Sequence, residues 1–304
     1  MMKRPLLTLM LAIGVSACSD DGDSSGPAPV VDAQPTGIWR GCLTTLLEWE
    51  SKDQPSYEDF ACQEPLGAGQ HPMLVVSDPQ GRFRVFAEMG VVQDNDATTK
   101  EPIWTIAPFL AWGQVATKEN ASSAQWSFYS VNPETLNPPS PETLQYRGAT
   151  SKGEMATADF WRGTLTWGNL DYYKFNLIYD EAATTRGASR AQLEGIWQNV
   201  DGAAEPVTIT FHADGRFETD ANASGGCLYK GRVSVPDPAQ NFYRLNDVRV
   251  DRGIRGSCTG KNAQDSLRGN YGGVAILVEE NGVDVLKISL VNEGRMLNLN
   301  LRSN

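Results

Sequence analysis

The chain has 304 residues, room for two domains of ordinary size. Its 26 Lys and Arg against 37 Asp and Glu leave a formal net charge of −11, which argues against nucleic acid or anionic lipid as the principal partner, since both are bound through excess Lys and Arg. Five cysteines and two histidines, with no Cys-x-x-Cys or mixed Cys/His cluster, give no expectation of a metal or a cofactor.

The N-terminus opens on Lys3-Arg4, continues through an apolar run over residues 6–15, and closes on Val15-Ser16-Ala17-Cys18. A positive end, a short apolar core and small residues before the cleavage point form a secretion signal. The run is about half the length a membrane-spanning helix needs. With its closing cysteine the segment resembles the signals of bacterial lipoproteins. That resemblance implies cleavage after residues 1–17, a diacylglyceryl anchor at Cys18 and attachment to a membrane facing the periplasm. Ser19 points to the outer membrane, while Asp20 and Asp21 leave the inner membrane open. Loss of Lys3 and Arg4 takes the mature chain from −11 to −13. Residues 18–36 lack apolar periodicity, and Asp20, Asp21 and Asp23 among serines, glycines and prolines read as an acidic tether. Such a tether reaches on the order of 25 Å.

Beyond Cys18 four cysteines remain, an even number suited to an oxidising compartment. Proximity favours Cys42 with Cys62 and Cys227 with Cys258, one of three possible connectivities. Each bridge would contribute about 3 kcal/mol in the chain-entropy account.

Thr36-Gly37-Ile38-Trp39-Arg40 returns as Glu194-Gly195-Ile196-Trp197-Gln198, and Gly81-Arg82-Phe83 returns as Gly215-Arg216-Phe217. A third match sets Leu170-Asp171-Tyr172-Tyr173-Lys174-Phe175-Asn176-Leu177 against Val283-Asp284-Val285-Leu286-Lys287-Ile288-Ser289-Leu290. Three matches in order indicate an internal duplication. The shrinking offset, from 197 − 39 = 158 through 217 − 83 = 134 to 283 − 170 = 113, implies two insertions in the first copy. The expected domains are residues 37–181 and 193–304, joined by a linker over residues 182–192.

Both copies read as β. Val207, Ile209 and Phe211 alternate with polar residues and point inward, with His212 outward, before a hairpin turn at Ala213-Asp214-Gly215. A second turn falls at Asn281-Gly282, and Leu297, Leu299 and Leu301 mark a closing strand. The density of about eight strands in each copy fits an all-β fold of two tandem antiparallel meanders, each a barrel or a sandwich. Residues 182–193 are the one plausible helix, interrupted by Gly187.

The Gly-x-Trp opening before such a meander resembles the calycins, the superfamily of lipocalins, fatty-acid-binding proteins and avidins. The resemblance implies a barrel, with Trp39 and Trp197 as structural plugs across one end. The second copy lacks the further tryptophans of an avidin's biotin pocket, so no ligand is carried over.

Seven of the eight tryptophans precede Trp197. Aromatic side chains are favoured where ligands and partners are gripped, which makes Trp104, Trp112 and Trp126 the expected site for a small hydrophobic ligand. Solid packing of the first copy is the competing reading. Arg244, Arg249, Arg252 and Arg255 form a basic stretch interleaved with Asp247 and Asp251, expected to neutralise itself. Asp94-Asn95-Asp96 with Glu101 lacks the turn glycine and closing Glu of a Ca²⁺ loop and reads as a polar turn. No nucleophile elbow, zinc-protease motif or phosphate loop occurs, His71 and His212 stand apart, and Glu154 and Asp159 read as surface acids. The functional expectation is a non-catalytic, exported, lipid-anchored protein that binds a small hydrophobic molecule, an envelope component or a partner protein. A purely structural lipoprotein with solid barrels is the alternative, with a carboxylate-dependent hydrolase behind it.

Overall fold

The computed structural model describes residues 31–45, 62, 70–95, 102–131, 144–168, 170–199, 207–220, 226–253, 258, 267–292 and 295–303. The signal, Cys18 and most of the tether lie outside these residues. The first eight strands are β1 (Gly37–Thr45), β2 (Gln70–Ser77), β3 (Arg82–Asn95), β4 (Pro102–Lys118), β5 (Ala121–Val131), β6 (Leu144–Met155), β7 (Phe160–Trp167) and β8 (Leu170–Tyr179). The next eight are β9 (Gly195–Asn199), β10 (Thr208–Phe211), β11 (Arg216–Thr219), β12 (Cys227–Ser234), β13 (Tyr243–Arg252), β14 (Gly269–Glu280), β15 (Val283–Asn292) and β16 (Arg295–Ser303). Each set is antiparallel and closes on itself, β1 against β8 and β9 against β16. The fold is two tandem eight-stranded barrels, and closure rules out the sandwich.

The period-two pattern explains why the walls form. In the first barrel Trp39, Val75, Phe83, Trp126, Trp161 and Phe175 are buried in one cluster. Burial of each such side chain contributes roughly 1.5–3 kcal/mol. In the second, Ile209, Phe211, Leu286, Ile288 and Leu301 do the same with Tyr243 and Tyr271.

The duplication extends to contacts. Trp39 Nε1–H donates to Pro35 O at 3.0 Å and Trp197 Nε1–H to Leu193 O at 2.7 Å, each four residues back. Gly81 and Gly215 both adopt positive φ, +75° and +83°, and their carbonyls accept from Val115 N and Val233 N, respectively. The Phe83 ring lies over Gly113 and the Phe217 ring over Gly231, where an added Cβ would come within 2.6 and 2.9 Å of the ring. The third sequence match, however, is corrected by topology. It aligns β8, the eighth strand of its barrel, with β15, the seventh of the other. The true counterpart of β8 is β16, because Tyr179 pairs with Trp39 as Ser303 pairs with Trp197. Offsets are then 217 − 83 = 134, 231 − 113 = 118 and 303 − 179 = 124. The first copy has a longer β3–β4 hairpin, and the second is longer afterwards.

Between the barrels, one expected helix is two: α1 (Glu181–Thr185) and α2 (Arg190–Leu193). Asp180 caps α1 by accepting from Ala183 N at 2.9 Å, and Gly187 at φ +78° turns the chain between them. Helix α1 is held from both sides. Thr184 Oγ1 accepts from Ile38 N at 2.9 Å, while Asn241 of the second barrel donates to Ala183 O at 3.0 Å and to Leu277 O at 2.7 Å. Arg186 Nη2 donates to both carboxylate oxygens of Asp284 at 2.7–2.8 Å. Outward residues of both walls, among them Leu74, Val76, Phe86, Ile276, Val278 and Val285, merge into one apolar cluster. Asn298 Nδ2 crosses it to donate to Val85 O at 3.3 Å.

The cysteines pair as Cys42–Cys62 and Cys227–Cys258, with Cα separations of 5.1 and 4.5 Å.

Candidate functional site

Of the three tryptophans expected to form a site, Trp112 and Trp126 are the two whose side chains are described, and they lie on opposite faces of the wall. Trp126 is 2 % exposed, donates through Nε1 to Ser151 Oγ at 2.9 Å, and packs within 4.6 Å of Phe83 and 5.7 Å of Phe175, ring centre to ring centre. Trp161 stands 5.4 Å from Phe83 and 5.6 Å from Phe175. These rings fill the first barrel's axis. Trp112 sits in register with Arg84 on the outer face of the same wall, opposite in direction to Trp126. Trp104 belongs to β4, but its side chain lies outside the described residues. Trp39 and Trp197 are both buried beside the hydrogen bonds that fix them. Burial also lowers the His71 pKa from its ordinary value; that side chain is on the Leu43 side of the wall, facing in.

An open groove of about 710 Å³ crosses the outer face of the second barrel. Its lining includes the charged Arg216, Glu218, Lys230, Arg232, Asp247 and Arg249, together with His212 and Asn270. Strand alternation puts these side chains there, since their neighbours Phe217, Tyr229 and Val250 point inward. Strand register then sets like charges opposite each other: Arg216 faces Arg232 across β11 and β12, and Lys230 faces Arg249 across β12 and β13.

Two of the four cations are held locally. Arg216 Nε lies 2.6 Å from Asp214 Oδ2 and Arg249 Nε 2.7 Å from Asp251 Oδ2. The backbone N–H of Arg216, then its guanidinium, holds the Asp214 carboxyl below the usual range. Lys230 and Arg232 have no carboxylate partner among the described residues. Glu218, opposite Lys230, has its carboxylate 3.5 Å from His212 Nε2. The strands are also irregular here. The register of β13 against both β12 and β14 shifts at one extra residue between Leu245 and Arg249, where Asp247 has φ +51°. Bulges of this kind re-aim side chains and gather at binding sites.

The expected basic run is therefore divided. Arg249 reaches the groove paired with Asp251, as an internally neutralised surface requires, whereas Arg244 faces Val274 and Arg255 lies outside the described residues. Sequence reading missed Lys230 and Arg232, because only pairing register brings them beside Arg249 and Arg216. Elsewhere Glu154 pairs with Arg162 at 2.8 Å, and Asp159 occupies the β6–β7 turn. Asp94 and Asn95 end β3, with their side chains, Asp96 and Glu101 outside the description. Among the described residues no three His, Cys, Asp or Glu side chains converge on a metal-sized site. No protein-family model, curated protein or solved structure matches this chain.

Proposed function

We propose that this chain is an exported, non-catalytic lipoprotein, anchored through Cys18 to the periplasmic face of the outer membrane, that binds an envelope component on the outside of its second barrel. The calycin resemblance supports the architecture but not lumenal binding. The observation that carries the reading is the placement of aromatic bulk and charge: rings occupy the first barrel's axis, and the groove lies on a solvated outer wall. The inter-barrel cluster and the α1 clamp tie the two barrels together.

Hydrogen exchange of the detergent-solubilised chain, with and without envelope extract, tests this reading. Protection is expected on β11–β13. Protection confined to the first barrel's interior strands would replace it with a lumenal carrier. Cys18→Ser should move the protein to the soluble fraction, and retention in the membrane would remove the anchor.

A further inference from the structure

We infer that the groove on β11–β14 is a binding site for an extended oxyanionic glycan, one whose phosphate or carboxylate groups sit between Lys230 and Arg232 and the facing Arg249 and Arg216. The inference rests on the outer-face reading above and names the ligand class. Directly opposed like charges destabilise a sheet pair. Here two such pairs lie side by side in a chain of net charge −11, and one member of each, Arg216 and Arg249, is paired with a local carboxylate. Among the described residues Lys230 and Arg232 are the members without a carboxylate ion pair, and their two-residue spacing along β12 sets both on one groove. An incoming oxyanion would relieve the repulsion and make charge-assisted hydrogen bonds with the guanidinium fork.

Size and wall chemistry select the class. A groove of about 710 Å³ is far larger than a single small anion and matches a ligand of several linked units. Its rim is charged and amide-bearing, with Asn270 placed to meet hydroxyl groups, and its aromatic members Phe217 and Tyr271 are 3 % and 4 % exposed, so among the described residues the groove offers an acyl chain no apolar slot. A peptide strand would need an open sheet edge to pair with, and the barrel is closed. A hydroxyl-rich chain carrying negative groups meets each of these conditions.

The test is calorimetric titration of the detergent-solubilised full chain with oligogalacturonate, a phosphorylated oligomannoside, a neutral dextran oligomer and oligoglutamate of similar length. Both oxyanionic glycans should bind, and should weaken markedly between about 50 and about 500 mM salt as the charges are screened. Dextran should not bind, and oligoglutamate should bind more weakly than either charged glycan. The double substitution Lys230→Glu with Arg232→Glu should weaken glycan binding at least tenfold. The same substitution also sets a second carboxylate opposite Glu218, so Arg232→Glu alone, which faces only Arg216 and Asn246, serves as the folding control: its Tm should hold or rise while glycan binding weakens, separating lost binding from lost folding. Dextran or oligoglutamate binding as tightly as the charged glycans, an unaffected double variant, or no glycan binding would each overturn the ligand class. In the last case, protection of β11–β13 by envelope extract would leave the outer-face reading standing, and its absence would remove both.

Discussion

The two barrels share a wall plan and differ in what fills and decorates them. Both open on a tryptophan tied to the carbonyl four residues back, and both seat a phenyl ring over a glycine of the following strand. Inside, the first uses the tryptophans Trp39, Trp126 and Trp161 with Phe83 and Phe175, while the second uses Trp197 with Phe211, Phe217 and three tyrosines among aliphatic side chains. Tyr243 OH meets Gln192 Oε1 at 3.0 Å, and Tyr271 OH donates to Leu267 O at 2.7 Å. Outside, the second bears the like-charge groove. The duplicated plan thus constrains the scaffold, and divergence is concentrated in side chains that the plan leaves free.

The largest expected effects concern the filling. Trp161→Ala and Trp126→Ala should each cost about 3–5 kcal/mol, measured by denaturant unfolding. Conservative changes sharpen the point. Trp161 Nε1 has no hydrogen-bond partner among the described residues, so Trp161→Phe removes an unsatisfied donor and should be milder than Trp126→Phe, which strands Ser151. Equal losses would show that volume alone governs this core.

Next come the bridges. Replacing Cys42 and Cys62 by Ala, or Cys227 and Cys258, should each lower stability by about 3 kcal/mol. The second loop is longer, 31 against 20 residues, and its loss should cost slightly more. The reverse order would point to native-state contacts rather than chain entropy.

Asn241→Ala tests whether the barrels unfold together. It removes the amide that ties Ala183 O and the Leu277 backbone, at a cost of about 1–3 kcal/mol for buried groups left unpaired. Calorimetry should show a single transition becoming two. One sharp transition in the variant would mean the apolar cluster couples the barrels unaided.

The smallest effect is a pH dependence that originates at His71 in the first barrel. Burial lowers the folded-state pKa of His71 below its ordinary 6.5, so the unfolded chain binds more protons between those two values. The stability it contributes is present above about pH 6.5 and is lost as pH falls toward the folded pKa. Tryptophan near-UV dichroism, which reports mainly the first barrel, should show its midpoint falling over that window. His71→Asn should flatten the slope, and an unchanged slope would assign it to other groups.

Much of the scaffold was legible because its causes are local. Alternation at Val207, Ile209 and Phe211 foretold an inward face, the two Gly-Arg-Phe turns foretold equivalent hairpins, and cysteine spacing foretold the pairings. The site was not legible in the same way. Trp112 and Trp126 belong to opposite faces, and β8 matched β15 in sequence because two neighbouring strands of similar alternation are interchangeable to a linear comparison.

By itself the sequence determined strand composition, the duplication and the acidic balance, since side-chain chemistry and a period of two residues act along the chain. Tertiary structure decided barrel closure, the clamp around α1, and the meeting of Lys230 and Arg232 with Arg249 and Arg216. Those depend on which residue stands opposite which across separate strands, and register is settled only when the whole wall buries its inner face.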